Sequence, residues 1–284
     1  MDDKISKISG SKPLALLQEL KKKKILPLAK HDKQFPDLVA KAVISGKVRI
    51  VRPKNCPPHH LASYYSVSNT LALCGRQEKP DIESLVHELY HAYQDAIKYP
   101  GKTESEMEAA ALLIALKYVA HTLGIKDASD KSGQKLLEYA ARNRAWFLGH
   151  DPGQIKGLLE AITTDKREVW ERELKNTAHF HRLNKCLNEV MSSLMGRNFR
   201  RGRDGSFIID FRLEARRKIV TLTLSKSEVS TLFEMLNSTK NIKDAYELNN
   251  LVGNFIKYWE SIAERFSAQL SEMDKNFTPM DGVD

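Results

Sequence analysis

Nowhere in its 284 residues does this chain gather the roughly eighteen consecutive apolar residues that span a bilayer, so no membrane-spanning helix is expected. Cysteine is scarce. Cys56, Cys74 and Cys186 are odd in number, widely spaced and without a CxxC pair, which excludes a disulfide framework and suits a reducing compartment. Internal repeats and low-complexity tracts are missing as well, which argues against a solenoid or a disordered tail as the main architecture. The opening MDDKISKISGSKP has charges but no apolar stretch behind them, so no secretory leader is expected. A cytoplasmic location follows as the expectation. Delivery into another cell by a route that needs no leader is compatible with the same residues.

What is present is the composition of a globular domain or two, 42% hydrophobic and 29% charged. The net charge of +9 is unevenly spread. Residues 1–55 hold fourteen Lys or Arg against five Asp or Glu, a surplus equal to that of the whole chain, with Lys21–Lys24 its densest run. A second basic stretch runs through Arg197, Arg200, Arg201, Arg203, Arg212, Arg216, Arg217 and Lys218. Such stretches can hold phosphates or acidic partners, but a solvated surface explains them equally and no groove-reading motif accompanies them.

Chemistry is concentrated in Leu85-Val86-His87-Glu88-Leu89-Tyr90-His91. Ile82, Leu85, Val86, Leu89, Tyr93 and Ala96 recur at intervals of three and four, the stripe of a helix packed on a core, starting near Pro80 or Asp81. His87 and His91, four apart, then share one face, where two imidazoles can bind one zinc ion. Glu88 stands beside them as a general base for water. An exposed polar face with two ordinary histidines is the plain alternative for so short a pattern. No metzincin-type H-x-x-G-x-x-H continuation follows. Instead a turn at Tyr99-Pro100-Gly101 leads to a second helix, about 103–123, that opens with Glu104, Glu106 and Glu108 and continues in Ala and Leu.

HELYH, a short connection and E-x-E-A-A on the next helix resemble the gluzincin clan of zinc metallopeptidases, over about residues 45–125. The resemblance implies a thermolysin-like ligand set of His87, His91 and a Glu from the second helix. Glu106 matches best, with Ala109 three residues on; Glu108 is the runner-up and Glu104 the third choice. The Asp that often follows the ligand by four is replaced by Ala110, and Asp95 is the substitute considered. The resemblance further implies a hairpin whose edge strand pairs with a peptide substrate, so that Tyr64 or Tyr65 faces the metal and stabilises an oxyanion. It also makes His150, His179 and His181 candidates for a transition-state role.

The rest of the chain frames these residues. Residues 1–12 are expected to be mobile, then Pro13–Lys24 and 34–45 form helices, the latter closed by Gly46, and 47–53 a strand. His59 and His60 follow in a Pro-rich loop as possible accessory groups. The stretch 61–74 reads as a hairpin turning near Ser68-Asn69. Gly124–Gly133 is the best linker. Helices follow over 134–148 and 154–195, broken near 163–165. A second hairpin falls within 206–224, then a capping box Ser225-x-x-Glu228 opens a helix to about Leu236. A last helix covers about 243–273.

The fold expected is α+β and mostly helical. A basic helical segment (1–45) precedes a zincin-like domain (46–126) with a short antiparallel sheet, the HExxH helix and the Glu-bearing helix. A helical region with a hairpin (127–284) completes it. The function expected is zinc-dependent hydrolysis of a protein or peptide, with Zn2+ held by His87, His91 and Glu106 and water activated by Glu88. The alternatives are an inactive zincin-like module that binds nucleic acid or an acidic protein through its basic patches, and a protease toxin or effector.

Overall fold

The structure is a computed structural model. It describes residues 2–23, 25, 34–51, 62–73, 82–97, 103–143, 152–164, 166–213, 218–238 and 245–275. The chain runs α1 (Asp2–Lys22), α2 (Phe35–Ile44), β1 (Arg49–Val51), β2 (Ala62–Tyr65), β3 (Thr70–Leu73), α3 (Ile82–Ala96) and α4 (Glu104–Thr122). Then come α5 (Asp130–Asn143), α6 (Pro152–Thr163), α7 (Arg167–Met195), β4 (Arg200–Arg201), β5 (Phe207–Leu213), β6 (Lys218–Leu224), α8 (Lys226–Ser238), α9 (Ala245–Ala263) and α10 (Ser267–Lys275). The expected class, α+β and mostly helical, is the one observed.

Among the first elements, two details differ from expectation. Helix α1 already starts at Asp2 and carries Pro13 inside it, so the chain keeps the helix across the one position where its hydrogen bond is lost. The first sheet is mixed: β2 and β3 form the expected antiparallel hairpin, but β1 joins β3 in parallel, giving the order β1-β3-β2. A parallel neighbour arises from a crossover, and nothing local in 47–53 announces the pairing. The consequence is that β2 is an edge strand.

Among the described residues, three apolar cores hold these elements. The first gathers Leu16, Leu17 and Leu20 of α1, Phe35 and Val39 of α2, Leu71 and Leu73 of β3, and Leu85, Val86, Leu89, Tyr90 and Tyr93 of α3. Phe35 meets the edges of Tyr90 and Tyr93 at ring distances of 5.1 and 5.5 Å, a geometry that aromatic quadrupoles favour. Helix α4 closes this core with Ala110, Ala111, Ile114 and Ala115, whose small side chains let α3 and α4 approach closely.

The opposite side of α4 (Leu112, Leu113, Leu116, Val119) belongs to the third core, with Leu136 and Leu137 of α5, Ile155, Leu158 and Leu159 of α6, and Trp170 of α7. A helix apolar on all sides is a buried one, and α4 is the shared wall of two cores. The apolar packing therefore runs on past 126, where the sequence suggests a boundary. The second core lies between the later part of α7, β5, β6, α8, α9 and α10. There Trp259 is fully buried and donates Nε1–H to the Leu183 carbonyl at 3.0 Å.

The second hairpin has the expected strands, β5 and β6, paired from Phe207↔Leu224 to Leu213↔Lys218. Helix α8 is opened by the expected box, with Ser225 N–H on Glu228 Oε2 at 2.8 Å and Glu228 N–H on Ser225 Oγ at 3.2 Å. The expected last helix is divided by a 3-10 turn at Glu264–Phe266 into α9 and α10.

Candidate metal centre

Helix α3 buries most of its circumference, and its motif residues sit at the rim. His87 is 8% exposed, while Glu88 and His91 are half-buried. The i,i+4 spacing does what was expected of it: His87 Nε2 and His91 Nε2 lie 2.9 Å apart. Helix α4 brings one carboxylate to the pair. Glu108 Oε2 is 3.1 Å from His87 Nε2 and Glu108 Oε1 is 3.2 Å from His91 Nε2. The three side chains offer ligand atoms that all lie within 4.8 Å of one another.

This donor set can be tested against an ion. Tetrahedral bonds of about 2.0–2.1 Å hold ligand atoms roughly 3.3 Å apart. The observed 2.9, 3.1 and 3.2 Å need only a few tenths of widening. Two imidazoles and a carboxylate are also the donor chemistry that zinc takes in hydrolytic sites.

The electrostatics agree. Burial by itself would lower the His91 pKa, but the Glu108 charge and hydrogen bond, helped by Glu88 and Gln94, outweigh it and raise the pKa to about 9. Burial would likewise raise the Glu108 carboxyl, yet His91 and the hydrogen bonds from both imidazoles hold it well below the usual carboxylate range. Without an ion, positive charge is drawn to the place where these groups meet.

The carboxylate that completes the cluster is thus Glu108, and the first choice, Glu106, is placed elsewhere. Thr103 is the N-cap of α4, which makes Glu106 the third helical residue. Its Oε2 accepts the Thr103 N–H at 3.2 Å while its own N–H donates to Thr103 Oγ1 at 3.2 Å. That reciprocal capping box turns Glu106 back along the chain. The signal, T-x-x-E, stands in the sequence at Thr103-Glu104-Ser105-Glu106. Glu104, the third choice, accepts a hydrogen bond from Lys185 of α7 at 2.5 Å. With Glu108 in the cluster, the position four residues later is Leu112 in the third core, so no acid supports the site from there.

Glu88 is held by the edge strand. Its Oε2 accepts the Tyr64 N–H at 2.7 Å, so that N–H points off the outer edge of β2 toward α3. Tyr64 therefore reaches the site through its main chain. Its hydroxyl lies 2.9 Å from Asp95 Oδ2 and 3.0 Å from Asn69 Oδ1. Burial and the Asp95 carboxylate push the phenol above its ordinary pKa, so the proton stays on and is engaged away from the imidazoles. The expected oxyanion role for the Tyr64 hydroxyl does not match that placement. Tyr65, next along the strand, projects to the opposite face and is 43% exposed. Asp95, considered as a partner for a ligand histidine, serves Tyr64 instead.

The residue that does support His91 was missed in the sequence. Gln94 is 2% exposed, with Oε1 2.8 Å from His91 Nδ1 and Nε2 2.9 Å from the Met107 carbonyl. Its place three residues after His91, on the same side of the helix, is the signal that was available.

Other candidates lie apart or outside view. His179 pairs with Glu260 at 2.7 Å and with Arg182 at 3.0 Å on the exposed side of α7. His181 is half-buried on the same helix. His59, His60 and His150 fall outside the described residues, as do Cys56, Cys74, Arg216 and Arg217. Of the second basic stretch, Arg200 is paired with Asp210 at 2.8 Å, and Arg201 stacks over Phe207 and Phe199 at 4.9 and 5.9 Å. Among the described residues no helix is long and apolar enough to cross a membrane. Comparison with known proteins adds no family: no family model, no curated protein and no solved structure matches this chain.

Proposed function

We propose that this chain is a metal-dependent hydrolase of peptide bonds, with zinc as its ion. The observation that carries the reading is the convergence of His87 Nε2, His91 Nε2 and the Glu108 carboxylate from two helices onto one point, with Glu88 beside them. His87, His91 and Glu108 would hold the ion, which supplies a Lewis acid and acidifies water. Glu88 is the general base: it takes the proton of the attacking water and returns it to the leaving amine. The Tyr64 N–H keeps one oxygen of that carboxylate fixed and leaves the other for the proton. A peptide as substrate fits the position of β2 at the edge of its sheet, since an extended chain can add to a sheet edge through main-chain hydrogen bonds. A cytoplasmic location and a protein or peptide substrate go with this proposal.

The test compares wild type with Glu88→Gln. Zinc content is measured by elemental analysis, and hydrolysis with fluorescently labelled casein. Both proteins are expected to carry about one zinc per chain. The variant is expected to lose at least about 100-fold in rate. Wild-type hydrolysis by Glu88→Gln, or a wild type that takes up no zinc, would overturn the proposal.

A further inference from the structure

We infer that Gln94 is a positioning residue for the metal centre: it fixes which nitrogen of His91 is offered to an ion, and it ties Glu108 into reach. The inference rests on the metal-centre reading above.

The argument begins with the Met107 carbonyl. A carbonyl only accepts, so the group of Gln94 that meets it at 2.9 Å is the amide NH2. The other end of the side chain, 2.8 Å from His91 Nδ1, is therefore the amide oxygen, which also only accepts. His91 Nδ1 must carry a hydrogen. When the imidazole is neutral, its lone pair then belongs to Nε2, the atom that faces His87 Nε2 and Glu108 Oε1 at 2.9 and 3.2 Å. One main-chain oxygen thus sets the amide, the amide sets the tautomer, and the tautomer sets the ligand atom.

The same side chain acts on the third ligand. Met107 immediately precedes Glu108, so the bond from Gln94 joins α3 to α4 one residue from the carboxylate that completes the cluster. With Glu106 held in its capping box at 3.2 Å, two constraints fix the rotation of the first turns of α4. At 2% exposure, Gln94 is shielded from bulk water.

Gln94 does this without charge. A partner carboxylate would add a negative charge beside His91, whereas the amide orients the ring and leaves the site one unit more positive. That suits a centre whose work is to draw electrons from a carbonyl and a proton from water.

The experiment measures zinc affinity by competition with a chromophoric chelator, for wild type, Gln94→Leu and Gln94→Glu. Circular dichroism establishes that each variant is folded. Leu fills the space and makes neither bond; Glu keeps an acceptor for His91 but has no hydrogen for the Met107 carbonyl. If Gln94 positions the centre, Leu weakens zinc about 10–100-fold, and Glu, with one of the two bonds, stays weaker than wild type. If Gln94 only packs, Leu, which fills the same space, binds zinc as tightly as wild type. Leu or Glu binding zinc as tightly as wild type would overturn the inference while leaving the metal centre standing. A wild type that binds no zinc would overturn both. A second readout needs no variant. In zinc-loaded wild type labelled with 15N-histidine, His91 is expected to show a protonated Nδ1 and a metal-bound Nε2, and the opposite assignment would overturn the inference.

Discussion

Glu106 and Glu108 lie two residues apart on α4 and are assigned opposite duties, so replacing each by alanine should separate folding from metal binding. Glu106→Ala removes the acceptor of the Thr103 N–H and a carboxylate from the positive end of the helix. A lost cap of this kind costs about 0.5–1 kcal/mol. Unfolding entropy of about 2.1 cal/mol/K per residue gives this 284-residue chain roughly 0.6 kcal/mol/K, so the melting temperature should fall about 1–2 °C. Zinc at a thousand times its dissociation constant adds about 4.1 kcal/mol, which is roughly 7 °C on the same scale. Glu106→Ala should keep that zinc-induced rise. Glu108→Ala should lose it, because its two oxygens, 3.1 and 3.2 Å from the imidazoles, are the only negative charge in the triad. Its zinc affinity should drop by at least about 100-fold, more than the usual effect of losing a supporting residue. Differential scanning fluorimetry with and without zinc reads both effects. A zinc-induced rise that survives Glu108→Ala and vanishes in Glu106→Ala would refute the assignment.

Two further predictions concern the frame around the site. An added Cβ at Gly157 of α6 would stand 2.8 Å from the carboxyl carbon and both oxygens of Glu173, a buried side chain held by Arg172 and Asn176. Gly157→Ala should therefore destabilise by about 1–2 kcal/mol, overpacking outweighing a helix-propensity gain of about 0.8–1 kcal/mol. In a Glu173→Ala background the same change should stabilise, and denaturant melts that show no reversal of sign would discard the clash. Burial raises the Glu228 carboxyl, but Ser225 and Arg265 outweigh it and hold its pKa below the ordinary value of 4.5. The folded value lies below the unfolded one, so its stabilisation is complete above about pH 4.5 and fades as pH falls through the folded value. Glu228→Gln should cost about 1 kcal/mol at neutral pH and progressively less in acid. A gap that stays constant down to pH 3 would contradict the ion-paired cap.

His87, Glu88 and His91 could be read directly from the sequence because a helix converts spacing into direction. The second hairpin and the α8 cap were legible for the same reason, since β5, β6 and the Ser225–Glu228 box are local patterns. Glu108 was harder. Choosing among three glutamates depends on the phase of α4, and the phase depends on which residue caps it. Thr103 settles that, but Glu106 is the choice by the spacing that the gluzincin resemblance implies, which takes no account of a capping signature like that at Ser225. The Tyr64 contacts with Glu88 and Asp95 span 24 and 31 residues, and the parallel partner of β1 is reached only by a crossover. No window of sequence contains both ends of such contacts.

The position of α4 as a wall between two cores bears on how small this centre could be made. One side of the helix presents Glu108 and rests on α3, while the other is covered by α5, α6 and α7. A fragment ending after α4 would keep every residue of the triad and yet bare Leu112, Leu113, Leu116 and Val119 to water. Burying each such side chain is worth about 1.5–3 kcal/mol, so the exposed flank would favour self-association over a folded monomer. Transplanting the site into another scaffold therefore means carrying a helical layer that contributes no residue to the triad, and the portable unit is the two-cored block, not the five-residue motif.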